Sequence, residues 1–104
     1  MANPRLETLK QLLNQNPGDS FLRYGIAMEH VREEDYEQAV AEFRELLNRN
    51  PEYVAAYYHC GQALERLGDV EGARAIYQAG IELCTRTGDL HTRSELQTAL
   101  DLLG

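Results

Sequence analysis

The sequence predicts an all-α fold built of helix–turn–helix repeats, and three observations carry that prediction. The chain matches itself at an offset of 34 residues. Its apolar residues recur at the three- and four-residue spacing of a single helix face. No segment alternates polar and apolar residues as a half-buried strand does.

The offset is legible residue by residue. Leu12-Leu13-Asn14-Gln15-Asn16-Pro17 lies over Leu46-Leu47-Asn48-Arg49-Asn50-Pro51, with five of the six identical. The same shift sets Tyr24 on Tyr58, Arg32 on Arg66, Asp35 on Asp69, Glu37 on Glu71, Ala39 on Ala73 and Ala41 on Ala75. Phe43 meets Tyr77, an aromatic for an aromatic.

The elements follow in order. A first helix over about 4–15 carries the stripe Leu6, Leu9, Leu12 and Leu13, and Asn16-Pro17-Gly18-Asp19 stops it and turns the chain. A second helix covers about 20–33. The third, about 36–49, opens on Asp35 as N-cap, with Gln38 completing a capping box. It carries Ala39, Val40, Phe43, Leu46 and Leu47 on one face and ends at Asn50-Pro51. The fourth spans about 54–67; the fifth, about 70–84, is capped by Asp69, and a sixth near 90–103 by Asp89.

Length and charge bound the function. The 104 residues make one domain with a modest core. A net charge of −7 argues against nucleic acid, because a phosphate-binding surface needs clustered Lys and Arg. The N-terminal stretch has no continuous apolar run, so neither a signal nor a transit peptide is expected. The longest mostly apolar run, Tyr53 to Tyr58, is too short to span a bilayer. Cys60 and Cys84 both fall on apolar stripes and are read as buried, reduced thiols of a cytoplasmic protein.

No catalytic or metal constellation presents itself. His30, His59 and His91 belong to three different helices, and His59 and Cys60 point about 100° apart as neighbours on one helix. Phosphate-cradling loops, nucleophile elbows and dinucleotide turns are absent from the sequence. Neither a cofactor nor a metal is expected.

The stretch Tyr57…Cys60-Gly61…Leu64…Gly68-Asp69…Ala73…Tyr77 resembles the tetratricopeptide repeat signature. Its logic is steric: Gly61, Ala27, Ala39 and Ala73 are small where paired helices approach, and Tyr57, Phe43 and Tyr77 fill the remaining space. The resemblance covers two repeats, residues 20–53 and 54–87, with a half repeat over 1–19 and a capping helix over 88–104. Three positions depart from the pattern. Glu34 replaces the turn glycine, Arg23 stands where a large aromatic is usual, and Thr85 replaces the closing proline. Gly68 suits the left-handed end of a helix, and Glu34 in the same geometry costs about 1 kcal/mol.

The resemblance implies a right-handed superhelix whose concave face, lined by the first helix of each pair, binds a protein or peptide partner. On that face it places Phe21, Tyr24, Met28 and Val31 from the first repeat, and Tyr58, Gln62, Glu65 and Arg66 from the second. The basic clamp with which the family holds C-terminal carboxylates has no match, since Tyr24 and Met28 occupy such positions. Beyond residue 88 the period fails. His91, Ser94, Glu95 and Thr98 fall where core residues belong, while Leu96, Ala99, Leu100 and Leu103 fall toward the groove. Either the helix is rolled to cap the core, or it exposes Leu96, Leu100 and Leu103 to a partner helix or to a second copy in a homodimer.

Overall fold

The computed structural model describes residues 2–104. Six helices are present among them and no strand: α1 (Pro4–Gln15), α2 (Ser20–Arg32), α3 (Tyr36–Arg49), α4 (Ala55–Arg66), α5 (Val70–Thr87) and α6 (Leu90–Leu102). Consecutive helices pack against one another, so each needs mainly its neighbours to bury its apolar face.

Local chemistry starts most of these helices. Asn3, Asp19, Asp35, Asp69 and Asp89 each accept a hydrogen bond from the backbone N–H three residues on, satisfying a donor that the first turn leaves free. Helix α4 follows the Pro51 turn and starts without a side-chain cap. The turns α2–α3 and α4–α5 are superimposable in their bonding. Asp35 N–H donates to His30 O and Asp69 N–H to Leu64 O, both at 2.9 Å. Gly68 has φ 80°, and Glu34, in its place one repeat earlier, is held at φ 59°. The first turn therefore keeps the left-handed geometry without the glycine that makes it cheap.

Small and large residues interlock as the sequence implies. Ala27, Ala39 and Phe43 of the first pair, and Ala73 and Tyr77 of the second, have no exposed surface. A β-carbon on Gly61 would collide with ring atoms of Tyr77, so α4 approaches α5 too closely for any side chain there. Burying each ring contributes about 3 kcal/mol, and the close approach keeps the interface free of voids.

Arg23 does not abandon its site. Its side chain is 12% exposed, its Nη1 lies 3.7 Å from Glu42 Oε1, and its Nη2 donates to Pro17 O at 3.4 Å. One repeat later Tyr57 donates its hydroxyl to Pro51 O at 2.5 Å. The guanidinium thus reaches the same carbonyl as the aromatic it replaces, with its stem along the core.

Helix α5 runs three residues beyond the expected end. Thr85 stands where Pro51 breaks α3, and its hydroxyl bonds Ile81 O at 2.8 Å instead of interrupting the helix. The extra turn closes at Gly88, φ 80°, leaving only Gly88 and Asp89 to connect to α6. Gly80 replaces the repeat-equivalent Leu46, and a β-carbon there would lie 2.8 Å from both Leu96 Cδ1 and Tyr57 Cβ. The missing side chain lets α6 lay Leu96 directly onto α5.

Helix α6 is consequently rolled. Leu96 is fully buried and Ala99 nearly so, Leu100 and Leu103 pack against the core, and His91, Ser94, Glu95 and Thr98 are exposed. The buried set is displaced five residues from the repeat's packing set, which is ~140° around a helix of 3.6 residues per turn. Of the two arrangements expected for this helix, a rolled cap or an exposed strip, Leu96, Leu100 and Leu103 adopt the cap: the first is buried and the other two are half-buried against the core.

Candidate functional site

Of the residues expected on the concave face, Tyr24 and Tyr58 meet in one aromatic cluster. Tyr24 on α2 meets Tyr53 at 5.3 Å between ring centroids, Phe43 at 6.2 Å and His59 at 5.9 Å. His59 in turn stacks near Phe43 at 6.5 Å and meets Tyr58 edge-on at 5.4 Å. Tyr24 and Tyr58, one on each repeat, are therefore linked by a single imidazole. Burial among these rings pushes the His59 pKa below that of a free imidazole, with the Glu95 carboxylate pulling weakly the other way. Burial likewise raises the Tyr24 and Tyr53 hydroxyls above their ordinary range, so both remain neutral donors at physiological pH.

The α2 stripe is graded in exposure. Phe21, at the first turn, is 71% exposed, whereas Tyr24, Met28 and Val31 are half-buried and packed against the core. A phenyl ring left this open gains little from the fold itself. The half-buried members serve both the core and the surface.

On α4, Tyr58, Gln62 and Glu65 line a cleft with Glu95, Ser94 and Thr98 of the rolled α6, with a volume of about 440 Å³. The floor is tied down. Tyr77 donates its hydroxyl to Glu65 Oε2, and Gln62 Nε2 donates to Tyr77 Oη at 2.7 Å and to Glu65 Oε2 at 3.3 Å. Burial, together with the bond to Glu65, holds the Tyr77 hydroxyl far above its usual pKa, so the proton stays on the tyrosine. Arg66 does not join this cleft. Its guanidinium lies 5.0 Å from the ring centroid of Tyr36, a cation–π contact at the edge of the face.

Sequence reasoning missed His59, Tyr53 and the α6 wall of the cleft. His59 carried a signal, because the equivalent position one repeat earlier is Gly25, and an imidazole for a glycine at a packing position asks for a reason. The α6 wall was announced only as a loss of register. Both thiols lie inside the stack: Cys60 is buried and pushed up to about 11 by desolvation, and burial raises Cys84 too. Among the described residues no three His, Cys, Asp or Glu side chains converge as a metal site would require.

Comparison with known proteins places this architecture. The chain matches the Tetratricopeptide repeat family over residues 24–85. It is 25% identical to a TPR repeat-containing protein of Pseudomonas aeruginosa, over 91% of this chain and 90% of that one. The solution structure of a tetratricopeptide repeat domain protein from Salinibacter ruber superimposes with a TM-score of 0.78 at 39% identity, covering 84% of this chain and 88% of that. The TPR2B domain of yeast Sti1, solved as a complex with pHsp70, shares the fold at a TM-score of 0.87 and 13% identity, over 94% of this chain and 78% of that. Matched over more than half its length, with paired helices locked by small-for-large packing, the chain belongs to the tetratricopeptide repeat family.

Proposed function

We propose that the chain is a non-catalytic adaptor of the cytoplasm that takes up a peptide or partner helix on the face formed by α2, α4 and α6. The observation that carries this reading is Phe21. It stands 71% exposed on the same helical stripe as Tyr24, Met28 and Val31, and that stripe joins Tyr58 through His59. An open aromatic beside half-buried tyrosine and methionine is the composition of a contact surface. That other members of this fold, such as the yeast domain, were solved with a partner bound supports the same reading.

Tyr24 touches three other rings, so its removal loosens the core as well as the face. Phe21 is the cleaner probe. Affinity capture with the wild-type chain and with Phe21→Asp plus Tyr58→Ala, read by mass spectrometry, should show a partner retained by the first and lost by the second. Far-UV circular dichroism should be the same for both. A partner held equally well by the folded double variant would refute binding on this face.

A further inference from the structure

The chemistry of the partner can be narrowed, on the assumption that the face binds at all. Its α2 side is apolar, and its α4–α6 side is a cleft lined by His91 but by no lysine or arginine among the described residues. Three features give that cleft its character. Glu65 enters from α4 with Oε2 engaged by Tyr77 and Gln62, while Oε1 has no hydrogen-bond partner among the described residues. Glu95 enters from α6, its side chain 57% exposed. Tyr58 supplies a ring between them and the aromatic cluster, and Ser94 and Thr98 add hydroxyls.

The arginine on the cleft's own α4 stripe is committed elsewhere. Arg66, on the same stripe as Gln62 and Glu65, is stacked over Tyr36. His91 approaches Glu95 only at 3.9 Å and is itself 86% exposed, too loose a contact to fill the site. The cleft exists because α6 is rolled, which turns Glu95 and the hydroxyls out of the packing set and into the groove. Charge complementarity then selects the occupant, since carboxylates beside an aromatic face attract an ammonium or guanidinium group.

We propose that the bound segment carries apolar side chains over α2 and a lysine or arginine side chain that enters the cleft between α4 and α6, between Glu65 and Glu95. This rests on the reading of the α2–α4–α6 face as the binding surface, and the experiment separates the two. A phage-displayed library of random dodecapeptides is selected on the full chain, and enriched peptides are measured by fluorescence anisotropy. The probes are those synthetic peptides, each paired with a version in which its basic residue is alanine. Variants are Phe21→Asp, Glu95→Lys and, as a control of equal net charge to the latter on the outer helix, Glu82→Lys.

The expected result is enrichment of a basic residue at a fixed distance from an apolar one. Replacing that residue, or introducing Glu95→Lys, then weakens binding about tenfold, while Glu82→Lys changes it less than about twofold. Peptides that depend on Phe21 but show no basic preference, or that respond equally to Glu95→Lys and Glu82→Lys, overturn the cleft proposal and leave the face intact. Peptides indifferent to both Phe21→Asp and Glu95→Lys overturn the face and the cleft together.

Discussion

The first helical pair, α2 and α3, and the second, α4 and α5, solve one packing problem with different residues. Both pair a small residue with an aromatic at equivalent positions, Ala27 with Phe43 and Gly61 with Tyr77, and both reach back to the carbonyl of the preceding proline. Three of their differences concern packing and helix ends. The first pair uses Arg23 with Glu42 where the second has Tyr57 and Ile76, Leu46 where the second has Gly80, and Pro51 where the second has Thr85. The shared positions fix the fold. Gly80 and Thr85 end the repeat, roll α6 and open the cleft, so in this chain the cleft arises where the repeat is broken rather than where it is kept.

The sharpest way to break the comparison is to impose the first pair's alanine on the second. Gly61→Ala adds a methyl where the Tyr77 ring already sits, and the hydroxyl of that ring is tethered to Glu65 and Gln62, so it cannot slide aside freely. Better helix propensity returns about 1 kcal/mol, against an overpacking penalty that exceeds it. The net expectation is a loss of about 2 kcal/mol in urea unfolding. Adding Tyr77→Phe releases the tether and should recover part of the loss. Additive penalties in the double variant would show that the tether has no part in the fit.

Next in size is the Arg23–Glu42 pair. Arg23→Ala strips the stem from the core and leaves Glu42 half-buried without its partner, for a loss of about 1–2 kcal/mol. Transplanting the second pair's solution, Arg23→Tyr with Glu42→Ile, should be neutral or stabilising by about 1 kcal/mol, because a buried ion pair often gains nothing over well-packed apolar residues. Thermal unfolding decides it. A double variant as unstable as Arg23→Ala would mean that the first pair has diverged too far to accept the exchange.

How much of this was legible follows from the same distinction. The helices, the caps at Asp35, Asp69 and Asp89, and the small-for-large packing were readable because each depends on residues a few positions apart or one repeat apart. The extra turn of α5 was half legible. Thr85 was visible as a lost proline, but a lost breaker states only that a helix can go on. What escaped was long-range. Leu96 finds its seat against Gly80 and Tyr57, so the roll of α6 is set by an absent side chain on another helix. The position of Glu95 opposite Glu65 follows from that roll. Periodicity carries no such information once the period has stopped.

The smallest expected effect bears on the turns, where the two pairs have the same geometry and different residues. Glu34 sits at φ 59°, a conformation that costs a residue with a β-carbon about 1 kcal/mol, whereas Gly68 occupies it freely at φ 80°. A β-carbon on Gly68 would meet nothing within 4 Å, so space does not enter the account and the backbone angle alone decides. Glu34→Gly should therefore raise stability by about 0.5 kcal/mol, less than the full strain because glycine also loosens the unfolded chain. Gly68→Glu should lower it by a similar amount. In a domain of this size these changes are worth about 2–4 °C in Tm, of opposite sign. Should both variants move Tm the same way, the turns differ in something other than this angle. The bonds Asp35 N–H to His30 O and Asp69 N–H to Leu64 O, alike at 2.9 Å, would then have to differ in how far the flanking helices depend on them.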